Sequence, residues 1–449
     1  LTRGKRHDNL VLHVLITPFY GKIQRRRREM RKKIILGVLI VLLSVSMVFA
    51  GGQKESTAGA SAGEKLELNL FYYKDTIVEG MDALAKAFMA KNPNIVINNE
   101  MLATEFNTVL MSRDAAGQLP EMWAATPGEP AMKPYIDGGK VQPVGSLKVI
   151  KQLDPDFVQS ITFSDGNVYV IPFLTTARGI IYNTELFEKA GVKSFPKTIG
   201  EMKDAVAKLK AAGITPFAGA WKDGWTVGSL VYQVGAEVIA PRDFAAEMSA
   251  GNASHKDLIE IFQFIDLFRD NCQPRAMDAD FMGSVSLYAQ EEAAMLFQGP
   301  WAADAMMELA PEVVAKSRMA AAPFSADASK NKLYSDYDLY WTVNADADLA
   351  AVDAYLDFII NGDGKKIFQE QIKSLNPYGI SFESHAVNKS ILETSAKGDI
   401  IGNNLYVNSP TDGWWQTQAI VMQEYLGGKI AQNQMMEKLD KEWLAAAGQ

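Results

Sequence analysis

The chain has 449 residues, one cysteine, 22% charged and 48% apolar residues, and a formal net charge of −8. At about 100 to 200 residues per domain this implies two or three domains with real cores, and it excludes disorder for most of the chain. Residues 1–50 hold 11 Lys/Arg against 2 Asp/Glu, so the rest carries 34 basic and 51 acidic residues, a net −17 that repels phosphate backbones and excludes nucleic acid as a partner.

In chain order, residues 1–29 read as a non-native upstream extension. Their basic cluster Arg25–Arg28 would read as a nucleic-acid tag in another context. Met30 opens a complete leader: Arg31-Lys32-Lys33, an apolar stretch from Ile34 to Phe49, and Val48-Phe49-Ala50 before Gly51, the order of a secretory signal peptide over 30–50. The uninterrupted apolar run Ile34 to Leu43 is shorter than the roughly 20 residues that span a bilayer. GGQKESTAGASAG (51–63) is too small and polar to pack and reads as a flexible linker.

In the body, Leu66–Tyr72 predicts a strand, and Met81, Leu84, Ala85 and Phe88 predict one buried helical face, stopped by Asn92-Pro93 before a second strand at Ile95–Ile97. Thr198-Ile199-Gly200-Glu201 predicts a capping box, Met202, Ala205, Val206 and Leu209 a helix, and Gly213 its C-cap. Ser254 opens another helix, with Leu258, Ile261, Phe262, Ile265 and Phe268 inward. This alternation predicts an α/β fold, and the length favours two lobes over one sheet.

The chemistry is mostly negative. A lone Cys272 excludes an internal disulfide, a thiolate zinc site and a redox pair. Only His255 and His385 follow the leader; His255 is expected at the surface of a first helical turn and His385 in a loop, which disfavours a histidine triad or metal site. No phosphate loop or nucleophile elbow appears, and Gly362-Asp363-Gly364 lacks the third glycine of a dinucleotide fingerprint, so no cofactor is expected. Glu291-Glu292, as neighbouring acids on a helix, diverge and read as a solvated face rather than a glycosidase pair.

Aromatic placement is the positive signal. Tyr72-Tyr73-Lys74-Asp75 follows the first strand, Trp221 and Trp225 sit in a Gly-rich loop, Trp301 follows Gly299-Pro300, and Trp414-Trp415 follow a Ser-Pro-Thr-Asp-Gly run. Open α/β sheets place ligand crevices at such strand ends, and flat rings beside polar side chains suit the apolar face and hydroxyls of a sugar. Trp341 and Trp443 are expected in the core.

Several segments together resemble a known family. Gly166–Phe173 (GNVYVIPF), Gly179–Phe187 (GIIYNTELF), Ala190-Gly191-Val192, Pro196-Lys197-Thr198, Gly213-Ile214-Thr215-Pro216 and Ala293–Trp301 (AAMLFQGPW) occur in the order found in sugar-binding proteins of bacterial ATP-binding-cassette importers, the group that includes the maltose-binding protein. The resemblance covers nearly all of the chain after the leader.

It implies a two-lobe periplasmic-binding-protein fold of the class II kind, with a ligand cleft between lobes and three hinge crossings, near Phe173–Ala177, Pro323–Ser325 and Asn376–Tyr378. The lobes would comprise residues 64–175 plus 325–377 and residues 176–324 plus 378–449. By resemblance Trp301 stacks on sugar, Trp415 or its neighbour Trp414 adds a second platform, and Asp223 with Trp225 offers an acid and an aromatic. Lys74 and Asp75, beside Tyr73, fall where polar contacts follow the first strand; Glu105, Thr126 and Glu129 complete the carried-over set. Pro120-Glu121 departs from the family's Pro-Asp. The implied protein is a monomer that is not an enzyme. It acts outside the cytoplasmic membrane and delivers a carbohydrate to permease subunits. A non-sugar solute (glycerol phosphate, a polyamine or a small anion, with Arg178 near a crossing) and a secreted glycosidase are the alternatives.

Overall fold

The computed structural model describes residues 65–449 apart from 126, 127, 383, 403–408, 412 and 449. The expected extension, leader and linker, and the candidate Thr126, lie outside the described residues.

Among the described residues nine strands run in chain order: β1 (Leu66–Tyr72), β2 (Ile95–Met101), β3 (Met122–Ala125), β4 (Ile171–Asn183), β5 (Thr215–Ala218), β6 (Ala293–Gln298), β7 (Ser317–Ala320), β8 (Leu333–Val343) and β9 (Ile400–Ile401). They join in the order β2-β1-β3-β8-β4-β6-β5, with β7 also on β4 and β9 on β8. The β1/β2, β1/β3 and β5/β6 pairs are parallel, as helix-linked strands should be. The long strands β4 and β8 run antiparallel to each other, and antiparallel also to β6 and β7 (β4) and to β3 (β8).

Local chemistry accounts for the elements. In β1, Leu68 and Leu70 are buried on one face and Phe71 on the other, the mark of a strand covered from both sides. Helix Val78–Lys91 buries Met81, Leu84, Ala85 and Phe88, the expected set. Thr198 Oγ1 accepts from the Glu201 amide at 3.3 Å, but the Glu201 carboxylate accepts from the Lys197 amide (2.7 Å), so the capping box is only half closed. Gly213 takes the left-handed conformation (φ 73°) after that helix. Ser254 does cap a helical segment, but its first part, His255–Ile261, is 3-10, and the α-helix starts at Phe262.

Two lobes follow from where the apolar side chains gather. One core holds Leu68 to Leu174 and Leu339 to Ile380; the other side of the molecule is built on two clusters, one spanning Ile180 to Trp443 and one spanning Ala177 to Ile391. On β4 the change falls between Leu174 and Ala177, beside register shifts at Pro172/Leu174 and Leu174/Thr175 that bend the strand. The second change comes later than the expected Pro323–Ser325. Phe324 and Leu333 still pack in the C-terminal lobe, and Ser325 and Asn331 are tied there by Glu260 and the Lys197 carbonyl; the switch lies within β8, between Leu333 and Leu339. The Pro-Phe-Ser break is therefore a turn inside one lobe, and a polar stretch of strand makes the crossing. The third runs against β4: the Leu375 carbonyl accepts from the Thr175 amide (2.8 Å), and Tyr378 Oη donates to the Pro172 carbonyl (2.6 Å).

Candidate ligand-binding cleft

A cavity of about 910 Å³ opens between the lobes, lined from both sides and floored by the crossing strands. The floor is an exercise in period-two geometry. On β8, Tyr334, Asp336, Asp338 and Tyr340 alternate and line the cavity, and on β4 Thr176 and Arg178 stand opposite Asp336 and Tyr334. Tyr334 Oη donates to Asp336 Oδ2 at 2.6 Å. Among the described lining residues there are three acids, Glu105, Asp336 and Asp338, and one cation, Arg178.

The N-terminal lobe contributes Tyr73, at the C-terminal end of β1, where parallel sheets present their ligands. Its hydroxyl donates to the Asp338 carbonyl (2.8 Å) and its ring meets Phe106 edge-on at 5.5 Å. Lys74 forms an ion pair with Asp338 and faces a smaller cavity adjoining the first. Glu105 lines the main cavity from a left-handed backbone (φ 61°) at the start of helix Phe106–Ala115. Glu129 opens the helix Glu129–Asp137, whose Ala131, Met132 and Tyr135 line the cavity. Glu121, at the departure from the family pattern, braces β1 by accepting from the Asn69 amide (2.9 Å) and side chain (2.7 Å).

From the C-terminal lobe, Trp225, Trp301 and Trp415 all reach the cavity. β6 ends at Gln298, and the Gly299-Pro300 step turns into helix Trp301–Leu309. Glycine is required there, since a Cβ on Gly299 would lie 2.1 Å from Cζ3 of the Trp301 ring. The indole is fixed on several sides. Its Nε1 donates to Gln298 Oε1 (3.3 Å), the Trp225 ring lies 6.2 Å away at 58°, and the Arg178 guanidinium sits 5.3 Å from its centroid and 5.5 Å from that of Trp225. Such cation and ring contacts contribute about 0.5 to 2 kcal/mol each.

Some expected residues fall elsewhere. Asp223 is outside the cavity lining; its Oδ2 accepts from the Phe281 amide (2.8 Å) and holds the loop before Trp225 in place. Asp75 is exposed and lines neither cavity. Trp414 is a core residue, 2% exposed, packed edge-on against Trp443 at 5.1 Å, with Nε1 donating to Tyr232 Oη (3.1 Å). Two adjacent residues at the start of a helix diverge by about 100°, so one ring of the pair faces in and Trp415 faces the cleft. Trp341 and Trp443 are buried as expected.

Of the two histidines, His255 differs from expectation, and His385 lies in a loop as expected. His255 is buried, with Nδ1 2.6 Å from Asp440 Oδ1 and Nε2 2.9 Å from Tyr232 Oη, so Asp440, His255, Tyr232 and Trp414 form one hydrogen-bonded chain behind Trp415. His385 caps helix Ala386–Ala396 through the Asn388 amide (3.2 Å) and contacts Asp304 (3.0 Å). Glu291 lies in the turn before β6, not on a helix, and is held by Asn183 (2.8 Å) and Lys316 (3.1 Å), outside the cavity lining.

Sequence reasoning missed the floor residues Thr176, Asp336, Asp338 and Tyr340, and the wall residue Gln233, whose shielded Oε1 has no hydrogen-bond partner among the described residues. The alternation of Tyr334, Asp336, Asp338 and Tyr340 was the available signal.

Comparison with known proteins agrees with this architecture. Residues 74–366 match the model for the bacterial extracellular solute-binding proteins. An ABC transporter extracellular-binding protein of Pyrococcus horikoshii is 25% identical over 62% of the chain and 65% of its own length. A multiple sugar-binding protein of Streptococcus mutans is 24% identical over 61% of the chain and 66% of its own length. The chain thus spans just under two thirds of each of these relatives. A solved chitin oligosaccharide binding protein superposes with a TM-score of 0.71 at 21% identity, covering 86% of this chain and all of the other (100%). With a family match over more than half of its length and the two-lobe fold shared, the chain belongs to the bacterial extracellular solute-binding proteins.

Proposed function

We propose that this protein is the extracytoplasmic binding component of an ABC importer, holding a sugar or short oligosaccharide between its lobes and handing it intact to membrane permease subunits. The observation that carries the reading is one cavity of about 910 Å³ into which both lobes send aromatic rings, Tyr73 from one and Trp225, Trp301 and Trp415 from the other, over a floor of paired polar groups. Rings supply the surface for a sugar's C–H face, and the acids, amide and hydroxyls around them suit its hydroxyls. The names of the Streptococcus protein and of the chitin oligosaccharide binding protein point the same way.

The lining argues against an anion. Arg178 is flanked by Gln298 and two indoles, and three acids share the cavity with it, whereas an anion site needs converging cations. The matching family is one of solute-binding proteins rather than of enzymes. Binding alone needs about −8 kcal/mol for micromolar affinity, within reach of a few stacked rings plus a polar network. Lobe closure around the ligand would then present the surface that the permease reads. Among the described residues no helix is long and apolar enough to cross a membrane.

Intrinsic tryptophan fluorescence against a panel of mono- and oligosaccharides tests the reading. We expect a saturable change with no release of reducing ends. A protein that responds to glycerol phosphate, polyamines or anions and to no sugar would overturn it, as would turnover of a glycan.

A further inference from the structure

Two pairs of adjacent residues stand in the C-terminal wall of the cleft, and both are split in the same way. In each pair one member is buried and the next lines the cavity: Tyr232 and Trp414 are both 2% exposed, while Gln233 and Trp415 face the ligand space. The buried members are bonded to each other, Trp414 Nε1 donating to Tyr232 Oη at 3.1 Å from 182 positions away in sequence.

The direction of each hydrogen bond in this chain is set from its far end. Asp440 Oδ1 accepts from the His255 amide (2.8 Å) and from ring Nδ1 (2.6 Å), so the ring proton is assigned to Nδ1. Nε2 is then left to accept from Tyr232 Oη (2.9 Å), and the tyrosine oxygen keeps a lone pair for the indole N–H, a group that only donates. The four residues stand on four elements: helix Gln432–Ala446, the 3-10 segment His255–Ile261, helix Leu230–Val234 and helix Trp414–Leu426.

Helix Leu230–Val234 has five residues, too few to hold its place by its own hydrogen bonds. Leu230, Val231, Tyr232 and Val234 are buried, but apolar burial is non-directional; the Tyr232 hydroxyl supplies the directional contact. Just before this helix, Gly228 lets two backbones meet, since a Cβ there would lie 2.7 Å from the Trp415 carbonyl. A shift of the short helix therefore moves Gln233 relative to Trp415.

We propose that Tyr232 is a positioning residue for the ligand: its hydroxyl, held between His255 and Trp414, sets Gln233 against Trp415 from behind the cleft wall. This role rests on the sugar reading above and deepens it, by assigning part of the affinity to a group that never touches the sugar. The competing description is a buried hydrogen bond that only stabilises the C-terminal lobe.

Tyr232→Phe keeps the ring and removes the hydroxyl, and His255→Leu keeps the hydroxyl and removes its acceptor. Both should weaken binding of the sugar selected from the fluorescence panel by about tenfold in Kd, read by calorimetric titration at a temperature where circular dichroism shows the variant folded. Ser249→Ala is the matched control. Ser249 Oγ accepts from Trp443 Nε1 (3.1 Å) in the same core, so this variant also takes the acceptor from a buried indole, away from the cavity lining. It should lower the melt as Tyr232→Phe does and bind within about twofold of wild type. In a Gln233→Ala background Tyr232→Phe should cost less than about threefold, because the contact it places is already gone. Tyr232→Phe or His255→Leu binding like wild type, an equal loss in Ser249→Ala, or an undiminished cost of Tyr232→Phe without Gln233 would overturn the positioning role while leaving the sugar reading intact. A wild-type protein that binds no sugar of the panel removes the sugar reading, and the positioning role with it.

Discussion

Arg178 and Trp301 share an acceptor: Gln298 Oε1 takes a hydrogen bond from the guanidinium and another from the indole, each at 3.3 Å. Gln298 is 1% exposed at the end of β6 and Arg178 stands on the crossing strand β4, so a buried amide joins the hinge to the aromatic wall. Gln298→Leu should take this shared acceptor from both donors, lowering stability by about 1 to 3 kcal/mol and weakening the ligand about tenfold. Near-UV circular dichroism of the apo protein should change as well, because the Trp225–Trp301 pair loses its fixed tilt. Unchanged dichroism and affinity would show that the indole needs no such support.

The adjacent pair Trp414 and Trp415 should separate stability from binding. Trp414→Ala empties a buried site and removes the Tyr232 contact, so a loss of about 3 to 5 kcal/mol in a urea titration is expected. Trp301→Ala and Trp415→Ala, at half-buried positions on the cleft, should each cost markedly less apo stability than Trp414→Ala and abolish or strongly weaken saturable binding. The reverse pattern would reassign the two rings of the pair.

Acid should loosen the C-terminal lobe through Asp440. Burial pushes its carboxyl up, but the hydrogen bonds from the His255 ring and amide and from Ser254 outweigh this and hold the group below its ordinary value of 3.8. A carboxyl depressed in the folded state contributes stability above its unfolded value and loses it as pH falls through the folded one. Asp440→Asn should therefore be less stable than wild type at neutral pH, with the gap narrowing in denaturant titrations taken from about pH 7 down to about pH 3. A gap that stays constant would mean that the carboxylate charge does not contribute.

Glu105 holds a left-handed backbone at the mouth of the cleft, which strains any side chain with a Cβ. Glu105→Gly should raise stability by about 1 kcal/mol while lowering affinity, and Glu105→Gln should lower affinity with no gain in stability. If glycine gives no gain in the thermal melt, the conformation carries no measurable strain.

Much of the fold was legible because its signals are local. The apolar spacing of Met81, Leu84, Ala85 and Phe88 and the turn at Gly213 fix elements within a few residues of themselves. The place of Trp301 after the Gly299-Pro300 step is equally local, whereas a ligand-facing role for it came from the family resemblance of the Ala293–Trp301 segment. The floor was not, because Asp336 and Asp338 gain meaning only when β8 pairs with β4 across a long separation in sequence. His255 was misplaced because its burial is offset by Asp440, a partner 185 positions away. Trp414 was left open beside Trp415 because adjacent identical residues carry no sign of which way each one faces.

Strand β8 has a consequence for the order in which the halves mature. Its Val343 end pairs with Met122 of β3, so the N-terminal lobe draws its middle strand from beyond the first and larger part of its companion. During synthesis that lobe leads, yet β3 keeps an open edge until the late segment emerges and zips against it. The half that starts first therefore cannot close its sheet until most of the other has been made.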